Sequence, residues 1–186
     1  MEVNPIRDTE KIAEIKEALE QKARNKLLFV FGINSALRIG DLLSLSVGDV
    51  VDSGDNIVDT ISLKERKTGK MKRIAVNMSV KKALADYLAE RPGCDHSEPL
   101  FRSQKGKALS RFQAWRIMKK AGESVGLKNI GTHSLRKTFG YHVYKKTKGN
   151  IGLVQKLMNH STSRATLSYI GIDREMMDDV YLELNL

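Results

Sequence analysis

Between Lys26 and Leu37 the chain runs Leu27, Leu28, Phe29, Val30, Phe31 and Ile33 with little polar surface to offer water. A helix apolar on most of its sides must be buried all round. This stretch therefore predicts a buried helix. The 186 residues suffice for one such core and would be stretched to supply two. No run approaches the roughly 20 apolar residues that a membrane span requires. The opening Met1-Glu2-Val3-Asn4-Pro5 lacks the basic-then-apolar pattern of a signal peptide. The lone Cys94 has no second cysteine to bond with inside the chain, which suits a reducing, cytoplasmic setting.

The spacing predicts helices around that centre. Residues 8–23 have helical composition, with Asp8 as N-cap. Gly40 marks a break before a short helix in Leu42-Leu43-Ser44-Leu45. Residues 57–63 alternate, with Ile57, Asp59, Ile61 and Leu63 on one face, and Met71–Val76 is a second β-rich run. The turn Lys67-Thr68-Gly69-Lys70 joins them into a basic hairpin, with Gly69 free to take positive φ. Ser79 opens a helix that turns Val80, Ala83, Leu84, Tyr87 and Leu88 inward and closes at Pro92-Gly93. A short strand is expected at Pro99–Arg102. Ser110-Arg111-Phe112-Gln113 reads as a capping box opening a helix with Phe112, Trp115, Met118 and Ala121 inward. Further helices are expected over 133–146, over 150–159 and after Asp173. The predicted architecture is mainly α with a small antiparallel β-sheet (α+β), and residues 1–186 form one domain.

Charge narrows the class of partner. Lys and Arg outnumber Asp and Glu by 32 to 22, and the excess is not spread evenly. Residues 1–30 balance six acids with six bases, whereas residues 101–150 hold thirteen bases and one acid, Glu123. Lys64–Arg73 carries six bases against Glu65, and the tail 173–186 has five acids against Arg174. A solvated surface normally mixes signs, so the basic stretches point to an acidic partner. Nucleic acid fits best, because its phosphates attract Lys and Arg irrespective of base sequence. Cys94 and His96 lack the paired partner motif of a zinc site. The basic regions also hold almost no carboxylates for a catalytic metal.

Four short signatures follow one another: Ala36-Leu37-Arg38-Ile39-Gly40-Asp41, Lys67-Thr68-Gly69-Lys70, His133-Ser134-Leu135-Arg136, and Asn159-His160 with Tyr169 nine residues on. His133 and Arg136 are i, i+3 on a predicted helix and share a face near its N-terminus, where anions are favoured. Arg38 and Asp41 are likewise i, i+3, so Asp41 is expected to orient Arg38 by an ion pair. In order and spacing the signatures resemble the catalytic domain of the tyrosine recombinase (phage integrase) family, over roughly residues 5–186.

The resemblance implies that fold, and a DNA breaking and rejoining activity. It assigns the chemistry to Arg38, Lys67, His133, Arg136, His160 and Tyr169. The two guanidinium groups suit the charge that develops on nonbridging phosphate oxygens. Tyr169 is the implied nucleophile, a phenol of reference pKa ~10 that needs help near neutrality. His133 assists it, His160 binds a phosphate oxygen, and Lys67 protonates the departing 5′-oxygen. The linkage energy is kept in a 3′-phosphotyrosine bond, so neither metal nor ATP is called for, and no cofactor is expected. Lys64 and Lys70 are alternatives to Lys67. Lys64, Arg66, Lys70, Lys72, Arg73 and Lys137 are expected to bind the DNA backbone. The partner implied is double-stranded DNA, bound by a protein that is a monomer alone and a homotetramer on paired sites. The family's N-terminal core-binding domain is read as absent, and the acidic tail 173–186 as a helix able to dock on a neighbouring protomer.

Some positions depart from the usual pattern. Asn34-Ser35-Ala36 stands where Thr-Gly is common, Lys137 where His is frequent, Asp41 where Glu is usual, and Asn159 where Gly is usual. Asn accepts a left-handed backbone more readily than most residues. Two other readings remain open on the residues alone. One is a non-catalytic DNA-binding regulator with a helix-turn-helix over 134–158; the other is a relaxing activity like that of type IB topoisomerases.

Overall fold

The computed structural model describes residues 3–172 and 181–184. The C-terminal helix expected after Asp173 lies largely outside these residues. The chain order is α1 (Thr9–Ala18), α2 (Ala23–Ser35), α3 (Ile39–Leu42), a 3-10 turn (Val47–Asp49), β1 (Thr60–Lys64), β2 (Met71–Ala75), α4 (Met78–Ala89), α5 (Arg111–Ser124), α6 (Thr132–Lys146), α7 (Ile151–Met158) and α8 (Ser163–Ile170). This is the mainly helical architecture with one two-stranded antiparallel sheet expected from the sequence. No helix among the described residues is long and apolar enough to cross a membrane.

α2 is the centre. Leu27, Leu28, Phe29, Val30 and Phe31 are all buried, and α1, α4, α5 and α6 pack against the helix. Its approach to α6 is close enough that a Cβ on Gly32 would stand 2.6 Å from Leu135 Cδ1. Helix starts are local. Asp8 accepts from the Glu10 amide, Asn77 from Val80, and Ser110 and Gln113 close a capping box. The region expected as one helix over 8–23 ends at Ala18, and α2 begins at Ala23.

Strand pairing runs from Thr60↔Ala75 to Lys64↔Met71. Ile61 and Ile74 face each other inward, as does the next pair on that face, Leu63 and Lys72. Ile57, expected at the head of the first strand, instead makes an isolated bridge with Val51. The expected strand at Pro99–Arg102 is present only as bridges from Pro99 to Ser46 and from Arg102 to Ala108.

The face of α5 needs correction. Phe112 and Trp115 are 64% and 38% exposed, and their rings stack on each other at 5.7 Å. Arg116 and Lys119 lie over those rings. The inward stripe is Ala114, Met118, Ala121 and Gly122. A repeated step of three residues drifts around a helix of about 3.6 residues per turn, so Phe112 and Ala121 stand on opposite sides.

Candidate active site

Three backbone features aim the site residues. α2 ends at Ala36 in the left-handed conformation (φ 53°), which turns the chain so that Arg38 caps α3. α7 ends at Asn159, also left-handed (φ 54°), and delivers His160. The hairpin tip bends at Gly69 (φ 67°), closed by hydrogen bonds from the Gly69 amide to the Glu65 carbonyl (2.8 Å) and from the Glu65 amide to the Lys70 carbonyl (2.9 Å). His133 and Arg136 project from the first turns of α6, and Tyr169 stands near the end of α8.

These elements bring Arg38, His133, Arg136, His160 and Tyr169 together. The Tyr169 hydroxyl lies 3.5 Å from His133 Nδ1, and its ring meets the His160 ring edge to face at 5.0 Å. Arg136 is 2% exposed. Its Nη2 donates to the Met158 carbonyl, while Nη1 is buried with no hydrogen-bond partner among the described residues. His160 Nδ1 is in the same condition. Buried donors and acceptors are normally paired, so the two mark where a polar group from outside the chain is accommodated.

Burial dominates the electrostatics. It pushes His160 down to about 4, helped by Arg136, Arg38 and Lys72. His133 is lowered by burial and by Arg136, Lys137 and Arg111. Burial raises the Tyr169 phenol, and the opposing pull comes from Arg136 and Arg38. Arg136 is lowered by burial and by Arg38. Both imidazoles are thus neutral near pH 7, and the phenol keeps its proton until something takes it.

Several expectations change. Arg38 pairs with Glu65, donating from Nη1 to Oε1 at 2.9 Å, and not with Asp41. Asp41 is buried and accepts the Arg66 amide at 2.9 Å, so it fixes the start of the hairpin turn instead. Lys64, Arg66, Lys70 and Arg73 are exposed as expected of backbone-binding cations, and Lys67 is exposed at the tip. Lys72 and Lys137 are not of that kind. Lys72 Nζ donates to the carbonyls of Ala36 (3.1 Å) and Leu157 (3.0 Å), and burial pushes it down to about 8. Lys137 is 7% exposed, with Nζ 5.6 Å from the centre of the Tyr169 ring. α6 and α7 do follow each other across a short turn, but α6 buries Ser134–Thr138 and is no free-standing DNA-reading unit.

Sequence reasoning passed over Glu65. It is fully buried and accepts from Arg38, from Thr68 Oγ1 at 2.7 Å and from Asn159 Nδ2 at 2.8 Å. Burial alone would raise its pKa. The hydrogen bonds from Thr68 and Asn159, with Arg38 and Lys72 beside it, hold it below the usual carboxylate value. A signal was present: continuing the alternation Ile61, Leu63 puts Glu65 on the inner face, and Ile74 puts Lys72 there. No three of His, Cys, Asp and Glu gather into a metal-holding group among the described residues.

Residues 7–176 match the Phage integrase family. The chain is 44% identical over 181 residues to the probable integrase/recombinase YoeC of Bacillus subtilis (strain 168), spanning 96% of this chain and 95% of that one. It is 31% identical over 166 residues to the tyrosine recombinase XerC of Roseiflexus castenholzii (strain DSM 13941 / HLO8), matching 86% of this chain but 49% of the relative. It thus spans about half the length of that recombinase. The crystal structure of XerA recombinase superposes with a TM-score of 0.77 at 22% identity, covering 100% of this chain and 65% of that one. The XerH site-specific recombinase, bound to palindromic difH substrate in a post-cleavage complex, gives 0.72 at 23%, covering 97% and 53%. At these identities the structural likeness speaks to the fold.

Proposed function

The chain belongs to the phage integrase family, and from that premise we propose that it is a site-specific recombinase cutting and rejoining double-stranded DNA through Tyr169. The observation that carries this reading is the Tyr169 hydroxyl 3.5 Å from His133, in a pocket shared with Arg136, Arg38 and His160 of the same chain. A backbone phosphate in that pocket meets Arg136 Nη1 and the Arg38 guanidinium, whose remaining N–H groups make no hydrogen bond among the described residues. Such donors stabilise the charge that grows on the nonbridging oxygens during attack.

His133, kept neutral, accepts the phenol proton as Tyr169 Oη forms its bond to phosphorus. The bond to O5′ breaks, and its electron pair leaves on O5′, which takes a proton from the Lys67 ammonium. The products are a 3′-phosphotyrosine link and a free 5′-hydroxyl. Attack on that link by another strand's 5′-hydroxyl reverses the steps and exchanges strands. The energy stays in the phosphodiester throughout. Lys64, Arg66, Lys70 and Arg73 ring the hairpin and supply contacts to the DNA backbone. The protein is a monomer alone and assembles as four copies on two paired duplexes. The relatives' descriptions as integrase and recombinase, and the DNA-bound XerH complex, support this reading.

The test is covalent capture. A nicked duplex that sheds its short cleaved strand is incubated with the protein, and a denaturant-resistant protein–DNA band is sought. The band is expected with the parent chain and lost with Tyr169→Phe. Salt-sensitive DNA binding with no such band overturns the reading.

A further inference from the structure

Glu65 joins three segments that are far apart in the chain. Its Oε1 takes Arg38, which follows the end of α2; its Oε2 takes both Thr68 of the hairpin tip and Asn159 at the end of α7. Lys72 Nζ stands 3.9 Å from Oε1, with two of its donors already committed to carbonyls on the α2 and α7 sides. Taking a carboxylate out of water is costly unless its lone pairs are well used. A single ion pair to Arg38 would not require Thr68 and Asn159 to converge as well.

Each donor is a site residue or the immediate neighbour of one. Arg38 is itself a phosphate-binding arm, Asn159 precedes His160, and Thr68 follows Lys67. A carboxylate is rigid and planar, so displacing the hairpin tip must disturb the bonds to Arg38 or to the His160 turn. Lys72 is fixed by the same neighbourhood and has its donors directed at protein atoms, so the proton donor is sought among the exposed cations of the tip, of which Lys67 is the one beside Thr68 that the family pattern favours.

We propose that Glu65 is a positioning residue that registers the Lys67 hairpin against the phosphate-binding arms, so that proton delivery to the leaving O5′ depends on a carboxylate that never touches DNA. This rests on the recombinase reading above and adds the coupling to it. The dependence is specific to the leaving group. When sulfur replaces the bridging O5′, the P–S bond breaks with its electron pair on a thiolate that is stable without a proton, and the Lys67 step is bypassed.

The experiment uses the full chain and nicked duplex pools randomised around the nick, one with the natural O5′ and one with sulfur at that atom. Single-turnover capture is followed for the parent, Lys67→Ala, Glu65→Gln and Thr68→Val, with a thermal melt of each. Lys67→Ala and Glu65→Gln are each expected to slow capture on the oxygen pool by about 10²-fold, the lower range for a lost general acid. Both should return to within about tenfold of the parent on sulfur. Thr68→Val, which removes one donor to Glu65 and the long bond from the Lys70 amide but leaves Arg38 and Asn159 in place, is expected to show the same pattern at about tenfold. If Glu65→Gln fails to fold, Thr68→Val decides. Equal slowing on both pools, or no slowing on either, overturns the proposal. A parent chain that captures neither pool overturns the recombinase reading itself, a result distinct from a working parent with indifferent variants.

Discussion

His133 Nδ1 and the Tyr169 hydroxyl are 3.5 Å apart, although 36 residues separate them in the chain. The spacing is long for a hydrogen bond and short enough for one to form on a small rotation of either ring. The phenol therefore stands between a neutral acceptor and the edge-on ring of His160, with the cations that favour its ionised form nearby.

Both imidazoles protonate below their ordinary value of 6.5, His160 at about 4, so acid acts on the protein twice. The unfolded chain takes up protons at these positions before the folded one does. The contribution of these two histidines to stability is therefore whole above pH 6.5 and is lost as the pH drops from 6.5 towards 4. Capture should likewise decline below pH 6.5 as His133 gains its proton. Melting temperature and single-turnover rate measured across that window check both; a rate that rises on acidification would rule out His133 as the acceptor.

Lys70 and Lys72, two residues apart, should behave differently. Lys70→Ala removes an exposed cation and should weaken DNA binding while lowering the salt slope by about one. Lys72→Met strips two carbonyls of their donor and should cost about 1–3 kcal/mol of stability, with the salt slope unchanged. Filter binding across a salt series and urea denaturation separate the two.

Ala36 holds a left-handed backbone while 1% exposed. Ala36→Gly should change stability by no more than about 1 kcal/mol, since the freer backbone offsets the lost methyl. Ala36→Val, branched at Cβ in a region such residues avoid, should cost about 2 kcal/mol or more. Urea midpoints at constant slope give the comparison.

On α5, Met118→Ala should destabilise by about 2–5 kcal/mol, as buried truncations do. Phe112→Ala should cost about 1 kcal/mol or less, because its ring packs on Trp115 at the surface. Equal losses would mean that the helix presents its other side to the core.

What could be read from the sequence was what local chemistry decides. Ser110 and Gln113 had to cap a helix, Gly69 had to bend a turn, Asn159 could hold a left-handed end, and the run about Phe29 had to be buried. Arg38, His133, Arg136, His160 and Tyr169 were nameable because their order is distinctive, though nothing local brings them together. The misses share a cause. Pairing Arg38 with Asp41 assumed that a neighbour three residues along is the nearest carboxylate, yet the hairpin folds Glu65 in from 27 residues away. Counting Lys72 among the surface cations ignored the strand alternation that turns it inward. A run of charges is not uniform once it lies on a strand, which sorts it by parity.

Lys72 bonds carbonyls on the α2 and α7 sides, and Arg136 bonds the last carbonyl of α7. The negative poles of two helices are thereby directed at the crowded cations. Together with Glu65 they act as built-in counterions, neutralising in advance a repulsion that an incoming phosphate would otherwise be needed to relieve. The pocket is in this sense preorganised: it can hold its shape in free protein, and DNA finds an electrostatic mould already set.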